Sequence, residues 1–128
     1  MVLARPSELE ALNRIMHPLV HLRRQELLSQ ARNRGDRIVV SDIPLLFEAA
    51  DPGEFDVVVL VDAPEPVRRS RLRSSRSLDD DQIGRLMAAQ LPSATKRARS
   101  DYIIDNADSL ETLEHSAASV WQALLARA

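Results

Sequence analysis

The stretch Asp56-Val57-Val58-Val59-Leu60-Val61-Asp62 most narrows what this chain can fold into. Its apolar residues follow one another without polar alternation, so a strand here is expected to be buried on both faces, as in a parallel sheet. It ends in a carboxylate and is followed by Ala63-Pro64. Arg37-Ile38-Val39-Val40-Ser41-Asp42 has the same form and predicts a strand over 37–42 that breaks at Pro44. A third run, Asp101-Tyr102-Ile103-Ile104-Asp105, leads into Asn106. Ligands of open α/β sheets bind outside the carboxyl ends of the strands. Asp42, Asp62 and Asn106 are therefore expected along one rim; the plainer alternative is a set of ordinary acidic exit loops.

Between the strands the periodicity is helical. Residues 7–33 read as helix, with Ser7 and Glu10 in capping-box positions and Gly35 as the stop. Pro18 predicts a kink or a new start, because proline removes one hydrogen bond and crowds the preceding turn. Residues 65–74 are expected as an Arg-rich helix with Arg76 just beyond, and the spacing of Arg69, Arg73 and Arg76 would let them share one face. That face suits phosphates; a solvated charged face is the commoner meaning of such a run. Asp79-Asp80-Asp81 open a further helix to about Gln90, where acids meet the positive end of its dipole. Pro92 starts a short helix carrying Lys96, Arg97 and Arg99. The whole of 65–99 is polar and has the character of a mobile flap. The last helix is expected from Asp108 and Glu111 as capping box, with an apolar stripe of Leu110, Leu113, Ala117, Val120, Leu124 and Leu125 and with Trp121 at its margin. Strands alternating with helices argue for an α/β fold with a parallel sheet.

Composition excludes several classes. The 128 residues suit one domain. Lys plus Arg is 17 against 19 Asp plus Glu, a net charge of −2, which argues against nucleic acid as a partner. With no cysteine, disulfides, thiolate metal sites and Cys nucleophiles are out. No apolar run approaches the roughly 18 residues that span a membrane, and acidic Glu8 and Glu10 sit behind the N-terminus, so a cytoplasmic protein without membrane contact is the default expectation. Lys96 is the one lysine beside 16 arginines, and arginine is the better bidentate partner for phosphate.

Several motifs now stand in one order: His17-Pro18, then Asp42-Ile43-Pro44-Leu45-Leu46-Phe47-Glu48, then Val61-Asp62-Ala63-Pro64. The Arg-rich helix through Arg71 to Arg76, Ala88-Ala89-Gln90-Leu91-Pro92 and Asp101-Tyr102-Ile103-Ile104-Asp105-Asn106 follow. From about residue 9 onward this series resembles the dephospho-CoA kinase family. The Pro-Leu-Leu-Phe-Glu segment, the Ile-Asp-Asn ending and their spacing are together quite specific. The resemblance implies a P-loop kinase fold: a parallel sheet, a substrate-side helical region over 7–34, core strands within 37–62, a helical lid over 65–99, and a last strand and helix over 101–128. It implies transfer of the ATP γ-phosphoryl group, with Mg²⁺, to the ribose 3′-hydroxyl of dephospho-CoA. It sets His17, Pro18, Pro44, Leu45, Leu46 and Glu48 at the acceptor, His17 being equally well the cap of a helix beginning at Pro18. Arg71, Arg76 and Asn106 would meet the nucleotide. Asp42 would be the acid nearest the phosphates, or a hydrogen-bond acceptor at a strand end. The family's lid arginine falls at the position of Ser75; Arg76 stands one residue on.

A P-loop needs Gly-x-x-x-x-Gly-Lys followed by Ser or Thr. The glycines here are Gly35, Gly53 and Gly84, followed by Asp36, Glu54 and Arg85. The resemblance places that motif, with the acidic base after it, upstream of Met1, so the chain reads as the C-terminal two-thirds of the fold without its P-loop strand. It is expected to be inactive alone, because phosphoryl transfer rests on the phosphate cradle and metal. Loss of a strand between 37–42 and 56–62 would leave open edges, so self-association is expected. A non-catalytic module binding CoA-like ligands or a partner chain, and another nucleoside or nucleotide kinase, remain alternatives at this point.

Overall fold

Helix α1 (Pro6–Arg34) begins after Arg5, with Pro6 at its first turn, where its missing N–H would have had no partner anyway. The computed structural model describes residues 5–128. These fall into two units, one ending at Ser41 and one running Asp42–Ala128. The Ser7–Glu10 capping box does not form: Ser7 lies inside the helix, and the N-cap Arg5 makes no side-chain capping bond. α1 continues through Pro18, since the loss of one hydrogen bond in a long helix leaves the neighbouring turns to carry it. The stop at Gly35 is as expected. Gly35 sits at φ 78°, ψ 25°; its N–H donates to the Arg32 carbonyl and that of Asp36 to the Ala31 carbonyl, both at 3.0 Å. This pair of bonds requires the left-handed conformation that glycine adopts without a Cβ clash. Along α1, Leu12, Met16, Leu19 and Val20 are exposed.

The predicted strand over 37–42 is a correction. Residues 38–43 form no regular element and pair with no strand among the described residues, and Val39 and Val40 are exposed. An apolar run alone does not make a ladder; each backbone N–H and C=O needs a neighbour to pair with.

In the second unit the strand order is simple. β1 (Val59–Asp62) pairs with β2 (Tyr102–Asp105) in parallel, with Val59 opposite Tyr102 and Asp62 opposite Asp105. Asp101 sets this register. Its carboxylate accepts from the Val58 N–H at 2.7 Å, and its own N–H donates to the Val58 carbonyl at 2.9 Å. Both strands enter the sheet at one end and carry Asp62 and Asp105 to the other.

Helices fill the crossover. α2 (Leu46–Ala49) and a 3₁₀ turn (Pro52–Glu54) precede β1; α3 (Glu65–Arg76), α4 (Asp80–Ala88) and α5 (Ser93–Ala98) separate it from β2; α6 (Leu110–Arg127) ends the chain. α5 packs on β1, α6 on β2, and α3 on α4. A capping box starts α4: the Asp79 carboxylate accepts from the Gln82 N–H at 2.8 Å, and the Gln82 side chain accepts from the Asp79 N–H at 3.0 Å. Ser109, not Asp108, caps α6, accepting from the Thr112 N–H at 3.2 Å, because its hydroxyl stands three residues before that donor. The half-buried face of α6 is Leu113, Val120, Ala123 and Leu124; Leu110 and Ala117 are exposed, Leu125 lies at the exposed margin, and so does Trp121.

The small core of this unit holds Val58, Ala63, Ile83 and Ile104. Residues 65–99, expected as a flap, contribute fully buried Ile83 and the buried Lys96. Burial of β1 on both faces does not hold: Val59 and Val61, alternate residues on one face of the strand, are 37% and 57% exposed. Unpaired, apolar strand surface invites pairing with another chain. Sedimentation over a range of concentrations is therefore expected to show association that Val61→Lys weakens. A stable monomer at all concentrations would contradict this.

Candidate functional site

The carboxyl end of the sheet is organised by two carboxylates and one guanidinium. Parallel pairing puts Asp62 beside Asp105, and two like charges there repel unless a cation lies between them. Arg97 of α5 supplies it, donating through Nη1 to Asp62 at 3.0 Å and to Asp105 at 2.7 Å. Asp62 accepts a further bond from the Ser93 hydroxyl at 2.8 Å. Its side chain is 12% exposed. Burial alone would raise its pKa, but the bonds from Ser93, Arg97 and the Ala63 N–H outweigh that, and the carboxyl is held below its ordinary 3.8.

One residue earlier in α5, Lys96 turns the other way. Its Nζ lies 2.5 Å from Glu48 Oε1 and donates to Gln90 Oε1 at 3.1 Å. The same Glu48 oxygen accepts from the Leu91 N–H at 3.1 Å. Here too burial raises and hydrogen bonding lowers: the bonds from Lys96 and Leu91 leave the Glu48 carboxyl below its ordinary 4.5. The Arg99 guanidinium sits 5.2 Å from the Phe47 ring centroid, within cation–π range. α5 is thus tied to the strand ends by Arg97 and to the α2 turn by Lys96.

The residues singled out from the sequence divide accordingly. Glu48 lies in the tied turn, with Leu46 half-buried beside it and Pro44 and Leu45 exposed just before. Arg71 and Asn106 meet: Arg71 Nη1 donates to the Asn106 carbonyl at 2.7 Å, and the Asn106 N–H donates to the Asp62 carbonyl at 2.7 Å. Asp62 and Asn106 therefore share the rim as expected. Asp42 is exposed at the start of the second unit and is not delivered by a strand. The shared arginine face is partly spent: Arg69 pairs with Glu65 at 2.8 Å and Arg73 pairs with Asp80. Arg76, exposed in the last turn of α3, has no ion pair among the described residues. His17 and Pro18 lie on α1 in the other unit, both exposed.

Mg²⁺ is usually bound through one or two carboxylates together with substrate phosphates. Among the described residues no group of three or more His, Cys, Asp or Glu side chains could hold a metal ion. Exposed Asp42 offers a single carboxylate, which fits a metal carried in on phosphates rather than one caged by the protein. No helix among the described residues is long and apolar enough to cross a membrane.

Sequence reasoning missed Ser93, Lys96 and Arg97 as organisers of the site. The signal available was the lone lysine in an arginine-rich chain, one residue from an arginine on a short helix after proline.

The comparisons with known proteins agree with one another. A family model described as CoaE, dephospho-CoA kinase, matches residues 1–112. A dephospho-CoA kinase of Corynebacterium jeikeium is 37% identical over 94% of this chain, and one of Thermobifida fusca is 38% identical over 99%. The chain spans 62% of the length of each of these relatives. The crystal structure of TT1252 from Thermus thermophilus matches with a TM-score of 0.72 at 30% identity, over 96% of this chain and 63% of that one.

Glu48 and Asp62 make a pH prediction. Both have folded pKa values below their ordinary 4.5 and 3.8, so the folded state binds fewer protons than the unfolded state in the acid range. The stability they contribute is present above those ordinary values and is lost as pH falls through the lower folded ones. Stability, followed by denaturation from neutral to acid pH, is expected to fall below about pH 4.5. The Glu48→Gln, Asp62→Asn double variant should show a shallower acid slope. An unchanged slope would contradict the assignment.

Proposed function

The chain belongs to the dephospho-CoA kinase family, and on that premise we propose that it serves the ATP-dependent phosphorylation of the ribose 3′-hydroxyl of dephospho-CoA, giving coenzyme A. The observation that carries the reading is the family match over residues 1–112. In that reaction the 3′-oxygen bonds to the γ-phosphorus, the bond from that phosphorus to the bridging oxygen breaks, ADP leaves, and the hydroxyl proton is given up to a base or to solvent. The transition state needs positioning and charge stabilisation more than covalent help.

In this reading the acceptor meets the Pro44–Glu48 segment. ATP meets Arg71, Asn106 and Arg76. The bond between Arg71 and Asn106 supports a common nucleotide rim, and the guanidinium of Arg76, which has no ion pair among the described residues, supports a role for it toward phosphate oxygens. Mg²⁺, bound with ATP, would screen phosphate charge, with Asp42 as the carboxylate available to it. The sequence holds no Gly-x-x-x-x-Gly-Lys-Ser/Thr, and arginine side chains do not replace a backbone cradle. The 128-residue chain is therefore proposed to bind the acceptor and to transfer phosphate negligibly by itself.

Two measurements on the purified chain test this. Dephospho-CoA is expected to raise the unfolding temperature while a nucleoside monophosphate does not, because a ligand stabilises only the state it binds. ATP-dependent conversion of dephospho-CoA is expected at background level. Stabilisation by the monophosphate alone would point to a different kinase acceptor, and measurable turnover would refute the proposed inactivity.

A further inference from the structure

Lys96 has no part in the reading above, yet it is the one lysine of the chain and is 8% exposed. A buried ammonium is retained only where partners compensate its lost hydration. Here the partners are Glu48 Oε1 at 2.5 Å and Gln90 Oε1 at 3.1 Å. Three segments thereby converge on one group: the α2 turn through Glu48, the α4–α5 connection through Gln90, and α5 itself.

Glu48 is used up by this arrangement. Its Oε1 takes both Lys96 and the Leu91 N–H. Its Oε2 is buried and has no hydrogen-bond partner among the described residues, so an incoming ligand does not reach it unless the turn moves. Arg99, one helical turn after Lys96, lies over Phe47. Adjacent residues of the turn are thus gripped by residues spaced three apart at the end of α5.

We propose that Lys96 is a positioning residue, whose buried pairing with Glu48 and Gln90 sets the Leu46–Ala49 turn against the α4–α5 connection, and that Glu48 acts on the acceptor through this turn rather than by touching it. The consequence for the acceptor rests on the proposed function; the lock itself does not. With the ammonium in place, Pro44, Leu45 and Leu46 hold one conformation toward a ligand. Without it, the buried carboxylate loses its counter-charge and the turn swings out to hydrate it.

Amide hydrogen exchange on the 128-residue chain reads the lock directly. The reporters are the N–H groups of Glu48, Ala49 and Ala50, which donate to Leu45 and Leu46, and that of Leu91, which donates to Glu48. Lys96→Met is expected to speed their exchange at least tenfold with β2 amides unchanged. Lys96→Arg should recover part of the protection. If Lys96→Met does not fold, Glu48→Gln, which keeps an acceptor for Leu91 but removes the charge, is expected to act in the same direction. Unchanged exchange at the reporters, or a rise shared equally by the strands, overturns the lock. A calorimetric titration reads the second half: Lys96→Met should weaken dephospho-CoA binding at least tenfold. Faster exchange with unaltered affinity overturns the positioning role. A wild-type chain that binds no dephospho-CoA contradicts the proposed function, and the exchange result still decides the lock.

Discussion

The approach of Asp62 to Asp105 is the constraint on which the second unit is built. Parallel pairing in this register delivers two carboxylates to the same end of two neighbouring strands. The arrangement holds because Arg97 donates to both, and because Ser93 and the Ala63 N–H satisfy more of Asp62. That cation comes from a six-residue helix, so α5 must lie across the strand ends. Once there, it presents Lys96 to the other side, where Glu48 and Gln90 receive it. The sheet end and the α2 turn are linked through consecutive residues of one short helix.

The proposed chemistry rests on the family match over residues 1–112. Phosphoryl transfer is a problem of holding an acceptor oxygen, a phosphorus and a leaving oxygen in line within a field that absorbs negative charge. Under the proposed reading such a field would draw on Arg71, which donates to the Asn106 carbonyl, on Arg76, which has no ion pair among the described residues, and on the α2 turn held by the buried pair of Lys96 and Glu48. A buried ion pair often adds little net stability compared with apolar residues of the same volume, and specifying one conformation is the role left for it.

What the sequence disclosed depended on whether a local rule or a distant partner decided the outcome. The strands ending at Asp62 and Asp105, and their parallel sense, were legible from unbroken apolar runs and interleaved helices. The stop at Gly35 was legible because one left-handed residue settles it. The strand over 37–42 failed because a ladder needs a neighbour, which an apolar run such as Ile38-Val39-Val40 does not itself supply. Asp108 lost the cap to Ser109 by one residue, a difference in backbone angle that residue type does not reveal. The tie of Lys96 to Glu48 joins positions 48 residues apart, and no periodicity announces such a contact. The family resemblance singled out Glu48, Arg71 and Asn106, but it did not disclose the lysine that holds Glu48 in place.

A double-mutant cycle between Asp62 and Arg97 tests most directly whether this charge pair organises the fold. Chemical denaturation of Asp62→Ala, Arg97→Ala and the double variant yields their coupling free energy. Residues sharing one hydrogen-bond network are predicted to couple by at least about 0.5 kcal/mol. Strict additivity of the two single losses would mean that α5 is held in place by something else.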